Sequence, residues 1–323
     1  MDFYHKEGKN IHIELLKFIA IFLILNGHMS EMYPPSLSLF ATGGTIGDAL
    51  FFFCSGYTLF LGRMDRFDNW YARRIRRIYP SVIAWAILSC ALFGAEYNII
   101  DILMRGTNRW FINCIMIYYV LLYLIRKYVS DIKGPIILSV LIPLCYYFTL
   151  DSSSFFMYRG GFFRYTYWFV FMLMGAYIGS GKLNFNFKKK SKFDILILLV
   201  CIVLHYGLSF SATKSTIMAH MQIVSLIPLR GGVIYLYKIS EILYSHLSHN
   251  VTKYMCLISG LCLETYLVQY SFFTDNWNSL FPLNLLIVII IILITAYVTR
   301  SLGRVFTQIF SGDNIDWNKV FTI

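Results

Sequence analysis

Ten stretches of about twenty mainly apolar residues recur along this chain, at 11–29, 46–61, 78–95, 110–125, 135–150, 165–180, 193–210, 217–236, 257–273 and 283–300. Each is long enough to cross, or nearly cross, a hydrocarbon layer of ~30 Å. Backbone N–H and C=O groups in hydrocarbon must bond within their own segment, so these stretches are expected to be helices. Charged residues are only 14% of the 323, against about a quarter in an average globular chain. The fold class expected is therefore all-α: a polytopic membrane helical bundle of about ten transmembrane helices. A single membrane domain over 1–310 and a short cytoplasmic tail over 311–323 follow from that division.

The net charge of +11 raises nucleic acid as a partner, but the basic residues are confined to particular connections between spans. With the N-terminus inside, twenty-one of the 28 Lys and Arg fall in inner segments and five in outer loops. The inner set includes Lys6, Lys9, Lys182, Lys188, Lys189 and Lys190; the outer one includes Arg105, Arg109 and Arg159. That asymmetry places both termini in the cytoplasm. A cleavable signal peptide is not expected, because the first apolar segment carries Glu14 and Lys17 and no small-residue cleavage site follows it. The seven cysteines lie in apolar segments without a C-x-x-C pair, which reads as packing, and no metal-ligand spacing stands out.

Ionisable groups inside spans are costly and mark polar interiors. On the first span Lys17 and His28 are eleven residues apart, which at ~100° per residue puts them on nearly one face, roughly 16 Å apart along the axis. Glu14, one turn before Lys17, is its natural ion-pair partner. On the second span Asp48 should match His28 in depth and orient its ring; Ser55 lies nearly on the face of Asp48, and Gly56 permits a close helix approach. Arg230 and Glu264 oppose in sign at similar expected depth and are expected to pair. They form an inner polar layer with Glu14 and Lys17, while His28 and Asp48 form an outer one for which His220 is a further candidate. His205, His246 and His249 have no evident partner. The connection "RMDRFDNWYARRIRRIYP" gathers Arg73, Arg74, Arg76 and Arg77 before the third span, with Pro80 expected in that helix's first turn. Arginine's planar donor fork suits either phosphate or anionic lipid headgroups.

Taken together, Lys17-x10-His28, "IGDALFFFCSGYTLF", "ARRIRRIYP", "WFINCIMIYYVLLYLI" and "ISGLCLETYLVQYSFF" resemble acyltransferase family 3, the integral-membrane acyltransferases of cell-surface glycans. The first-helix basic residue of that family is usually arginine, and its late segment often reads "YLVH", where this chain has Gln269. The resemblance implies transfer of an acyl group, most often acetyl, from acyl-CoA to a hydroxyl of a surface or lipid-linked glycan, with no tightly bound cofactor. It implies His28 as general base with Asp48 orienting it, and donor binding by Arg73, Arg74, Arg76 and Arg77, with Lys17, Ser55, Arg230 and Glu264 lining the route. A bacterial inner membrane is the expected location. Two other readings fit an intramembrane polar path: a transporter of glycans or lipid-linked sugars, and a non-catalytic membrane scaffold.

Overall fold

The computed structural model describes residues 10–103, 110–158, 161–181, 192–311 and 314–322. Lys6, Lys9, Arg105, Arg109, Arg159, Lys182, Lys188, Lys189 and Lys190, counted above for topology, lie outside the described residues. Of the described residues 81% are helical and none lies in a strand. The helices are α1 (Ile11–His28), α2 (Gly44–Leu61), α3 (Phe67–Phe93), α4 (Ile99–Leu103), α5 (Trp110–Tyr128), α6 (Lys133–Tyr147), α7 (Arg164–Tyr167) and α8 (Phe169–Gly179). They continue as α9 (Lys192–Lys214), α10 (Thr216–His220), α11 (Leu226–Ser245), α12 (His249–Gly260), α13 (Cys262–Val268), α14 (Leu283–Ser311) and α15 (Trp317–Phe321).

Among the described residues, seven helical segments are long and apolar enough to cross a membrane, or eight if the bent pair α12–α13 is one span. The protein is an integral membrane protein. The remaining expected spans take shorter or broken forms. The 15-residue α6 covers 135–150, and α7 and α8 share 165–180. The span expected at 217–236 is among the seven but lies further along, at Gln222–Ser245: α10 gives way to a short 3-10 turn over Gln222–Ser225, and the long helix starts at Leu226.

The third span differs most from expectation. Helix α3 starts at Phe67, so Arg73, Arg74, Arg76 and Arg77 are helical, and Pro80 lies in the helix interior rather than its first turn. Twenty-seven residues make a helix of about 40 Å, longer than the hydrocarbon layer, so its basic first turns extend beyond the apolar run that marks the span in the sequence.

Two compact units make up the chain. Unit 1 comprises Met1–Gly47, Met64–Tyr119 and Ser248–Ile323, so α1, α3, α12, α13 and α14 pack within it. Its α14 lies against α3 so closely that a Cβ on Gly303 would stand 3.0 Å from Ser81 N and 3.1 Å from Pro80 C. Residues 314–322 fold back on α14: the Tyr297 hydroxyl donates to Phe321 O (3.1 Å) and Arg304 Nη1 to Lys319 O (2.7 Å).

Unit 2 comprises Asp48–Arg63 and Val120–Leu247. Here the backbones of α2 and α8 meet: a Cβ on Gly56 would run into the carbonyl of Met172, and one on Gly175 into that of Phe53. The Ser55-Gly56 pair thus marks the close helix approach that small residues allow.

Candidate active site

His28 is the last residue of α1 and is half-buried. The chain beyond it is fixed by amides. Asn26 Nδ2 donates to Phe40 O (2.7 Å) and Thr42 O (2.8 Å), and Asn26 Oδ1 accepts from the Tyr33 hydroxyl (2.6 Å). From the far end of the sequence, Asn278 donates to Glu31 O and Asn284 to Met32 O, each at 2.9 Å. Gly43 closes this connection at φ +109°, a left-handed conformation that glycine adopts without strain. These asparagines were not singled out in the sequence, because a polar residue beside a turn reads as an ordinary loop residue.

The ring of His28 meets Gln269: Nδ1 and Oε1 are 3.3 Å apart, and the Tyr270 ring lies 4.7 Å away between centroids, tilted by 45°. Gln269 is fully buried, and its Nε2 donates to Tyr266 O (3.3 Å), which turns Oε1 toward the histidine. An amide oxygen only accepts, so this bond requires the proton on Nδ1 and, in the neutral ring, makes Nε2 the unprotonated nitrogen. In unit 1, then, the group bonded to the ring is Gln269. Asp48 belongs to unit 2, where Arg164 is its charged neighbour.

A second polar layer lies in the other half of unit 1. Lys17 Nζ pairs with Glu14 Oε1 at 2.8 Å, as their one-turn spacing implies, and Glu14 Oε2 accepts from Ser259 (2.5 Å). Glu264, only 4% exposed, accepts from Ser81 (2.7 Å), and its other oxygen is 3.9 Å from Arg300. Glu264 thus takes its cation from Arg300 on the adjacent α14 rather than from Arg230. Arg230 sits on α11 in unit 2, near the buried phenol of Tyr158, and makes no ion pair among the described residues. Arg300 escaped the sequence reading because it stands at the edge of an apolar run, where a cation reads as a topological signal.

This layer surrounds a helix break. Between Gly260 and Cys262 the axis turns by 57°, freeing backbone groups that hydrocarbon cannot satisfy. Arg300 donates to Gly260 O, and Glu264 places its charge in the first turn of α13, where the helix dipole favours an anion. The break sets the direction of α13, which carries Gln269 to His28 at its far end.

The expected arginine stripe divides by partner. Arg73 pairs with Asp65, Arg74 lies over the Trp70 ring at 4.9 Å, and Arg76 and Arg77 are exposed. Arg77, Lys17, Glu14 and Glu264 are all electrostatic neighbours of Cys262.

In unit 2, Tyr158 bonds Ser225 Oγ (2.8 Å) and His205 Nδ1 meets Ser225 O (3.0 Å). Burial pushes the Tyr158 phenol up to about 12. His220 Nδ1 is 2.7 Å from the Ser152 hydroxyl.

A half-buried imidazole whose Nδ1 is held by a buried amide thus stands at the end of α1, a helix long and apolar enough to cross a membrane. A family profile described as an acyltransferase domain matches residues 10–301, nearly the whole chain. The chain therefore belongs to acyltransferase family 3. It is also similar to an O-acetyl transferase of Shigella phage Sf6, with 31% identity over 109 residues. That match takes in 30% of this chain and 33% of the phage protein, so it spans about a third of the relative's length. No solved structure matches the chain.

Proposed function

We propose that this protein transfers an acyl group, most simply acetyl, from acyl-coenzyme A to a hydroxyl of a cell-surface or lipid-linked glycan, in a bacterial inner membrane with both termini cytoplasmic. The observation that carries the reading is the His28–Gln269 contact, which puts the proton of the neutral ring on Nδ1 and makes Nε2 its basic nitrogen. In the reaction the acceptor hydroxyl gives its proton to Nε2 as its oxygen attacks the thioester carbonyl. The C–S bond breaks, the ester is released, and the proton passes to the departing thiolate to give free coenzyme A. The O-acetyl transferase named among the relatives supports the choice of acetyl. The basic residues of unit 1 supply an anion-attracting end for the phosphates of the donor, and the polar layer beneath them offers a route for its thioester arm.

The test is acetyl transfer from radiolabelled acetyl-coenzyme A to glycan in membranes carrying wild type, His28→Ala or Gln269→Leu. Loss of a general base lowers the rate by about 10²–10⁴-fold, so His28→Ala should give essentially no labelled glycan. Gln269→Leu should lower kcat by about tenfold with the donor KM unchanged, since it releases the ring without touching donor binding. Undiminished transfer by His28→Ala would overturn the assignment of the base. Absence of transfer by wild type across acyl donors and glycans would favour a transporter or a scaffold.

A further inference from the structure

We propose that Arg304 and Arg300 of α14, with Arg77 of α3, form the seat for the donor's phosphates, in place of the α3 stripe Arg73–Arg74–Arg76. The inference rests on the acyl-coenzyme A reading above. The backbone contact of Gly303 with Pro80 and Ser81 locks α14 against α3. Arg300 and Arg304 flank that glycine, and Arg77 is one turn before the proline, so the crossing brings three guanidinium groups to one end of the unit. Arg304 has both Arg300 and Arg77 as like-charged neighbours. With Lys17 the cluster holds four cations against two carboxylates, Glu14 and Glu264, and both carboxylates are already engaged. An uncompensated group of cations this close is costly unless an anion joins it.

The donors are free to receive one. The exposed Arg77 makes no hydrogen bond or ion pair among the described residues, and Arg300 Nε is buried without a hydrogen-bond partner. Arg304 commits Nη1 to the carbonyls of Lys319 and Val320, leaving the rest of its fork of five N–H donors. Arg73 and Arg74, by contrast, are held by Asp65 and by the Trp70 ring. Coenzyme A carries a diphosphate and a 3′-phosphate, which suit several adjacent guanidinium forks. Its uncharged pantetheine arm would then extend from this seat toward Lys17 and the helix break.

The experiment is calorimetric titration of coenzyme A into the full chain in phosphatidylcholine nanodiscs, comparing wild type with Arg77→Gln, Arg304→Gln, Arg304→Lys, Arg76→Gln and the control Arg66→Gln. Arg77→Gln removes no hydrogen bond or ion pair among the described residues, so it keeps the test open even if Arg304→Gln disturbs the docking of α15. Losing one charge-assisted donor set should raise Kd about tenfold in Arg77→Gln and Arg304→Gln, less in Arg304→Lys and not at all in Arg66→Gln. The weaker binding of pantetheine should be the same in all. Wild-type affinity in folded Arg77→Gln and Arg304→Gln, or loss in Arg76→Gln alone, would overturn the inference. It would equally fall if the variants kept coenzyme A but lost retention of phosphatidylglycerol, because the anion seated there would then be a lipid headgroup. Failure of wild type to bind coenzyme A would instead refute the donor reading and take the inference with it.

Discussion

In the proposed reaction the basic nitrogen of His28 is selected by a bond made by the other one. A carboxylate in the place of Gln269 would stabilise the imidazolium and hold the ring more tightly, whereas the neutral amide fixes the tautomer without adding charge to an apolar region. The buried phenol of Tyr158 shows the cost of charge at the same scale. Its folded pKa of about 12 lies above the ordinary value near 10, so the folded state keeps a proton that the unfolded chain loses. The resulting stability is fully present below pH 10 and is lost as pH rises toward 12, a change on the order of 3 kcal/mol. Thermal melting between pH 8 and 11.5 should show this decline in wild type and a flatter alkaline limb in Tyr158→Phe.

Elements in this protein are held where glycines let backbones touch. Gly56 and Gly175 bring α2 and α8 into contact within unit 2, and any Cβ there meets a carbonyl that cannot move alone. Gly56→Ala should therefore destabilise the folded protein by about 1–3 kcal/mol, as overpacking does. Gly207, in the middle of α9, has nothing within 4 Å of an added Cβ, and Gly207→Ala should be neutral or stabilising by about 0.5–1 kcal/mol. Melting temperatures of the two variants in one detergent would separate the cases. Equal melting temperatures would mean that the α2–α8 contact is not close. The break between α12 and α13 is the opposite device, in which buried side chains take over the bonding that a continuous helix would have supplied.

For the whole chain the governing question is how its helices are threaded through the bilayer. Reporter fusions ending at Arg66, Lys133, Ser248 and Lys319 are expected to report the cytoplasm, and fusions at Tyr97, Asp151 and Asp275 the opposite side. Opposite sides for Arg66 and Lys319 would break the ten-span arrangement with both termini inside. The segment α7–α8 is where such an error would arise, since it is not one continuous helix of membrane length.

Composition and local spacing were sufficient for several properties. Membrane residence, the helical class, the Glu14–Lys17 pair and the prominence of His28 all follow from hydropathy and helical period, which act over a few turns of one segment. Contacts between segments lie beyond that range. The partner of His28 is 241 residues away, the cation beside Glu264 comes from a different helix, and Arg77 is set apart from its neighbours by a crossing at Gly303. Even the first turns of α3 were hidden, because a helix that continues past the hydrocarbon loses its apolar signature without losing its hydrogen bonds. Only tertiary packing decides which polar group meets which, because in a bundle of similar apolar helices that choice depends on close backbone contacts and on the requirement that each buried charge be satisfied.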